Sequence, residues 1–111
     1  MAVDPRHPSL SSIPTPALVV DVAALDRNIA SMAQRAAATG TSLRPHIKTH
    51  KSADIARRQV AAGAKGLACA TVAELLYLVD AGFEDILLTS SIADPAKAAM
   101  IAAANRRTKL A

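Results

Sequence analysis

Apolar residues along this chain change their spacing several times, and each change marks an element. Leu25, Ile29, Met32 and Ala36 recur at intervals of four, three and four, which lays one apolar stripe along a helix. Asp26, Arg27, Gln34 and Arg35 fall outside that stripe, and Gly40 stands where a helix closes with a left-handed residue. Unbroken apolar runs mark strands: Leu18-Val19-Val20 within a strand over 17–22, Leu67 to Ala70, and Ile86-Leu87-Leu88. Leu43 to Ile47 reads as a further strand, brief or bulged because Pro45 removes a ladder donor. Ser52 begins a helix that runs to about Ala62 and stops at Gly63. Thr71-Val72-Ala73-Glu74 has the form of a capping box, in which Thr71 and Glu74 satisfy each other's backbone amides. The helix behind it carries Leu75, Leu76, Leu78 and Val79 and ends at Gly82. Asp94-Pro95 is an N-cap followed by a proline at the first helical position, opening a helix to about Arg106. Lys109-Leu110-Ala111 looks like the start of another strand. Pro5, Pro8, Pro14 and Pro16 resist helix, so residues 1–16 read as an extended arm and 17–111 as the folded part.

A repeat runs through the second half. Ala62-Gly63 followed by Leu67-Ala68-Cys69-Ala70-Thr71 matches Ala81-Gly82 followed by Ile86-Leu87-Leu88-Thr89-Ser90. Each copy is a helix end, a glycine, a tight loop, an apolar strand and a hydroxyl residue. Regular alternation of strand and helix implies a parallel sheet with right-handed crossovers. The α/β candidates are a doubly wound sheet and part of a (β/α)8 barrel. No Gly-x-Gly-x-x-Gly or P-loop follows any strand, which weighs against a nucleotide-binding doubly wound sheet. In both folds the ligand site lies at the carboxyl ends of the strands.

Composition narrows the picture. The chain is 51% hydrophobic and only 2% aromatic, so its core is built from Ala, Leu, Ile and Val. Small side chains of this kind let helices lie close to a sheet. The net charge of +4 comes from Arg and Lys scattered among Asp and Glu, with no aromatic residues between them to stack bases. That pattern excludes a nucleic-acid partner. The one cysteine, Cys69, allows neither an internal disulfide nor a zinc cluster, and its apolar strand makes it a small core residue. The proline-bearing start has no apolar core of a signal peptide, and no apolar run reaches membrane-spanning length. No membrane association and a cytoplasmic location are the expectation.

The chemistry concentrates in Leu43-Arg44-Pro45-His46-Ile47-Lys48-Thr49-His50-Lys51-Ser52. Lys48 ends a strand-like run among two histidines, an arginine and a second lysine. Cationic neighbours disfavour protonation of an amine, and a partly neutral amine attacks carbonyls to form Schiff bases. The surrounding cations suit a phosphate. Pyridoxal phosphate supplies both an aldehyde and a phosphate. The bland alternative for Lys48 is a solvated loop lysine. His46 and Arg44 share the strand face of Lys48. His46 either contacts the cofactor ring or phosphate or fills the interior; Arg44 reads first as a salt-bridge partner. Thr49, His50 and Lys51 line the mouth, His50 reading as a surface or supporting histidine. Thr89, Ser90 and Ser91 either face the site or cap the next turn. His7 lies in the arm and reads as inert.

Three segments carry a family resemblance. Thr15-Pro16-Ala17-Leu18-Val19-Val20-Asp21, then Leu25-Asp26-Arg27-Asn28-Ile29, then Arg44-Pro45-His46-Ile47-Lys48-Thr49-His50-Lys51 resemble the opening of the D-threonine aldolase and D-serine dehydratase family. Gly66 to Glu74 continues the match. These are fold-type III pyridoxal phosphate enzymes related to the N-terminal barrel of alanine racemase. The resemblance covers about residues 14–111. It implies a partial (β/α)8 barrel, with Lys48 as the Schiff-base lysine and His46 as a cofactor contact. It also implies a D-β-hydroxy amino acid substrate, and retro-aldol cleavage or dehydration of it. The residues around Leu18 to Asp21 would belong to a second, C-terminal β domain. A divalent metal (zinc, manganese or magnesium) is expected through residues outside this chain, and a monomer or homodimer for the whole protein. Alanine racemases carry a tyrosine a few residues after the lysine; here Ser52 stands there, which tilts away from the racemase. A non-catalytic pyridoxal phosphate protein of the same fold is a further reading. The family is roughly three times this length, so the chain reads as an N-terminal fragment of about three barrel strands, inactive by itself.

Overall fold

A computed structural model describes residues 9–111. Four α-helices alternate with short strands: α1 Val22–Ala38, α2 Ala53–Ala61, β1 Leu67–Cys69, α3 Val72–Asp80, β2 Asp85–Leu88, α4 Pro95–Ala104 and β3 Lys109–Leu110. Each helix begins on a side-chain cap. Asp21 accepts from the Ala24 N–H, Ser52 from Ile55, Thr71 from Glu74, and Asp94 from Ala96 and Lys97. α1, α2 and α3 each end just before a glycine with positive φ: Gly40 at +65°, Gly63 at +107° and Gly82 at +85°.

The strands form one parallel sheet in the order β1-β2-β3. The repeat becomes register: Leu67 pairs with Ile86, Ala68 with Leu87 and Cys69 with Leu88, so matching residues of the two copies are lateral neighbours. Ile47, Ala56, Leu67, Cys69, Leu75, Leu78, Val79, Ile86 and Ala104 form the core between sheet and helices. Ala56 and Ala104 are buried in that core, as the small-residue composition leads one to expect. Parallel strands alternating with helices are the partial (β/α)8 barrel, with the carboxyl ends of β1 and β2 at Cys69 and Leu88.

Several expectations need correction. The strand over 17–22 is irregular chain with no ladder partner among the described residues, and Val22 already begins α1. Leu18, Val19 and Val20 stand exposed there, so apolar composition alone does not make a strand. Within the arm, the part described from Ser9 is not wholly extended: Leu10–Ser12 forms a 3-10 turn closed by Ser12 N–H on the Ser9 carbonyl at 2.9 Å. His7 lies outside the described residues. The strand over 43–47 shrinks to a single parallel bridge between His46 and Ala68. Pro45 has no N–H to give; the Leu43 carbonyl accepts from Lys65 at 2.9 Å and the Pro45 carbonyl from Ala68 at 2.8 Å. The last helix stops at Ala104, two residues early, with Asn105 as its cap.

Candidate active site

The chain does not run on as a strand after His46. Ile47–Thr49 folds into a 3-10 turn, so His46 and Lys48 are not strand neighbours on one face. The reason is local: His46 Nδ1 accepts from the Lys48 N–H at 3.2 Å, capping the turn with its own ring. The Ile47 side chain is buried and anchors the turn, while Lys48 and Thr49 are exposed. Among the described residues no carboxylate or acceptor engages the Lys48 ammonium. The turn closes when the Lys51 N–H donates to the Ile47 carbonyl at 2.7 Å. Lys51 takes φ +50°, a left-handed conformation uncommon for a residue with a Cβ.

An ion pair accompanies that reversal. Lys51 Nζ lies 3.0 Å from Glu74 Oε1, and Glu74 Oε2 accepts from the Ala70 N–H at 2.8 Å. The capping box is thus half as expected: Thr71 caps the Glu74 N–H, but Glu74 reaches back to Ala70 and across to Lys51, not to Thr71. The Ala70 amide, more than Lys51, holds the Glu74 carboxyl below the usual carboxylate range.

The far side of the site is the end of β2. Thr89 donates its hydroxyl proton to the Cys69 carbonyl at 3.0 Å, and its Oγ1 lies 3.4 Å from His46 Nε2. Lys48, His46 and Thr89 therefore share the carboxyl edge, with Ser90 and Ser91 exposed beyond them. Arg44 is elsewhere. Its Nε and Nη2 donate to Asp85 Oδ1 at 3.0 and 2.7 Å, and Asp85 opens β2 at the amino edge. The salt-bridge reading of Arg44 holds.

His50 turns away from Lys48. Its Nδ1 accepts from the Ser52 N–H at 3.1 Å, and Nε2 is buried beside Gln59 without hydrogen-bond geometry to it. Burial holds the His50 pKa below its ordinary value, against smaller raising effects of Gln59 and the Ser52 amide. Thr49, His50 and Gln59 line a mainly apolar hollow of about 490 Å³ between α1, α2 and Leu43. Lys48 does not reach that hollow, so its size says nothing about the lysine. Cys69 is fully buried, and burial, with the Glu74 charge second, pushes its thiol up to about 11. The Tyr77 hydroxyl accepts from the Ala53 N–H at 2.9 Å, a second cap on α2 that no local pattern announces.

Known proteins resemble this chain in sequence and in fold. D-threonine aldolase of Arthrobacter sp. is 40% identical over 101 residues, covering 91% of this chain and 27% of that enzyme. D-threo-3-hydroxyaspartate dehydratase of Delftia sp. (strain HT23) is 46% identical over 85 residues, covering 77% of this chain and 22% of that enzyme. A solved variant of this dehydratase in the metal-free form superposes with a TM-score of 0.83 at 41% identity, over 89% of this chain and 26% of that one. The crystal structure of D-threonine aldolase from Filomicrobium marinum superposes with a TM-score of 0.88 at 38% identity, over 91% of this chain and 27% of that one. The chain thus spans about a quarter of the length of the relatives it matches. The model of the alanine racemase N-terminal domain matches residues 20–110, and the chain belongs to that family.

Proposed function

We propose that the whole protein is a pyridoxal phosphate-dependent lyase for D-β-hydroxy amino acids, with Lys48 as its Schiff-base lysine. The observation that carries the reading is Lys48 itself: an exposed amine on a tight turn at the carboxyl edge of a parallel sheet. The residues present fit the cofactor. Lys48 offers an amine with no ion pair to break among the described residues, and His46 and Thr89 give that edge a polar rim. When bound, pyridoxal phosphate supplies an electron sink for carbanion charge at Cα.

The chain's own part is to hold and aim. The His46 ring caps the turn, Ile47 anchors it in the core, and Lys51 locks its exit against Glu74. Lys48 therefore projects from a frame fixed on both sides, and His46 is assigned to the cofactor's flank. Retro-aldol cleavage to glycine and an aldehyde is proposed ahead of dehydration on the longer aldolase match, set against the dehydratase's higher identity. Among the described residues no three His, Cys, Asp or Glu side chains group as metal ligands. They do not fit a metal centre, and a divalent ion is assigned to the remainder of the protein. A cytoplasmic location and a monomer or homodimer are part of the proposal. Among the described residues no helix is long and apolar enough to cross a membrane.

Borohydride reduction in the presence of pyridoxal phosphate tests the assignment. The label is expected on the Lys48 peptide, and Lys48→Ala is expected to abolish turnover of D-threonine and D-serine. Retained turnover in Lys48→Ala overturns the reading. Glycine plus aldehyde as products, against ammonia plus a keto acid, separates aldolase from dehydratase.

A further inference from the structure

We propose that Thr89 is a positioning residue: its hydroxyl fixes the tautomer and orientation of His46, and through His46 the turn that presents Lys48. This rests on the assignment of Lys48 above, but the geometry behind it is independent of any cofactor.

A hydroxyl has one proton and two acceptor sites. The Thr89 proton is committed to the Cys69 carbonyl at 3.0 Å. The same carbonyl takes the Thr89 N–H at 2.9 Å, so the end of β2 is doubly tied to the end of β1. Toward His46 Nε2, at 3.4 Å, Thr89 Oγ1 can then only accept. The proton of that contact must sit on Nε2. At the opposite side of the ring, Nδ1 faces the Lys48 N–H at 3.2 Å and must accept. A neutral imidazole with its proton on Nε2 meets both demands; the other tautomer meets neither.

The order of the sheet explains why Thr89 can do this. His46 bridges to Ala68 on one side of β1, and β2 pairs with β1 on the other. The His46 ring reaches over the end of β1 to the hydroxyl on β2. Three neighbouring segments thus close into one chain of contacts: Lys48 N–H to His46, His46 N–H to Thr89, Thr89 O–H to Cys69. Removing the hydroxyl leaves Nε2–H without a partner and frees the ring to turn, which loosens the cap on the Lys48 turn. A threonine that served only to end β2 would need its backbone N–H, which valine also supplies.

The test reads the imidazole directly. The protein, labelled with 15N in its histidines and free of cofactor, is examined by long-range 1H–15N NMR, the His46 signals being assigned by their loss in His46→Asn. In wild type, Nε2 is expected to carry the proton and Nδ1 to show the shift of an acceptor. Thr89→Val is expected to mix the tautomers and move the Lys48 amide resonance, and Thr89→Ser to restore both. The rate at which Lys48 is labelled by pyridoxal phosphate and borohydride should fall about fivefold in Thr89→Val, the equivalent of one net hydrogen bond, and recover in Thr89→Ser. A proton on Nδ1 in wild type overturns the proposal without any variant. So does a Thr89→Val protein with unchanged His46 tautomer and Lys48 amide. A failure to label Lys48 in wild type would instead sink the cofactor assignment and leave the tautomer result standing.

Discussion

Arg44 and Asp85 offer a measurement of what burial does to an ion pair. Arg44 donates Nε at 3.0 Å and Nη2 at 2.7 Å to one oxygen of Asp85, and the two side chains keep 25% and 15% of their exposure. The pair joining α2 to α1, Arg58 with Asp26, has the same shortest distance of 2.7 Å but keeps 48% and 53%. The shortest distance is matched and wetness differs; Arg44 gives two donors to one oxygen, Arg58 one donor to two oxygens. A hydrogen bond to a charged group nets about 1.5–3 kcal/mol, whereas an exposed pair nets about 0–1 kcal/mol. Double-mutant cycles with Arg44→Met and Asp85→Asn should therefore give a coupling of about 2 kcal/mol. The Arg58→Met and Asp26→Asn cycle should give about 0.5 kcal/mol. Urea unfolding followed by far-UV circular dichroism reads both. Equal couplings would refute the argument from burial. Acid supplies a second check. The Arg44 guanidinium holds the Asp85 carboxyl below the usual range, against partial burial that would raise it. A folded-state pKa below the unfolded value, about 3.9, means the stability is fully present above that value and lost as pH falls through the folded one. The cost of Asp85→Asn should shrink below about pH 4; a cost that grows there contradicts the assignment.

Gly66→Ala places a Cβ 2.7 Å from Asp85 Oδ1 and 2.9 Å from its Cβ, so strand or carboxylate must move. A loss of about 2 kcal/mol, read as a Tm lowered by several degrees, is expected, and an unchanged Tm would show that the sheet yields freely there. Cys69, buried and with its thiol pushed up to about 11, should resist iodoacetamide at pH 8 in the native protein and react once urea unfolds it. Equal rates in the two states would contradict a core role.

What the sequence made legible is what its neighbours decide. Stop glycines, Ser52, Thr71 and the Asp94-Pro95 pair act within one turn; the last three mark the starts of α2, α3 and α4, while α1 is legible from its apolar stripe and Gly40. The misread strands fail for want of partners. Leu18 is fully exposed, in a segment with no ladder partner among the described residues. At 43–47, Pro45 announced a short ladder, but the ring of His46 competing for the Lys48 N–H was not foreseeable from strand periodicity. The ties that shape the site join residues far apart in the chain: Arg44 with Asp85 across 41 positions, Lys51 with Glu74 across 23, His46 with Thr89 across 43. Thr89 was singled out as a strand end, and its repeat position opposite Ala70 was visible. Its partner was not, because that depends on which segment lies beyond β1.

One short segment therefore joins stability to chemistry. At the amino edge Arg44 is locked to β2; at the carboxyl edge His46 caps the Lys48 turn; past it Lys51 is locked to the β1–α3 junction and Ser52 caps α2. The stem of the turn is held at both ends by contacts within the chain itself. On the proposed role of Lys48, a long, flexible lysine leaving a fixed backbone loses less freedom on forming a covalent link than one whose loop must also be ordered. The same logic explains the left-handed Lys51. A glycine would adopt that φ without strain, but it could not carry the ammonium that Glu74 holds, and the turn would gain freedom where the chemistry needs it fixed.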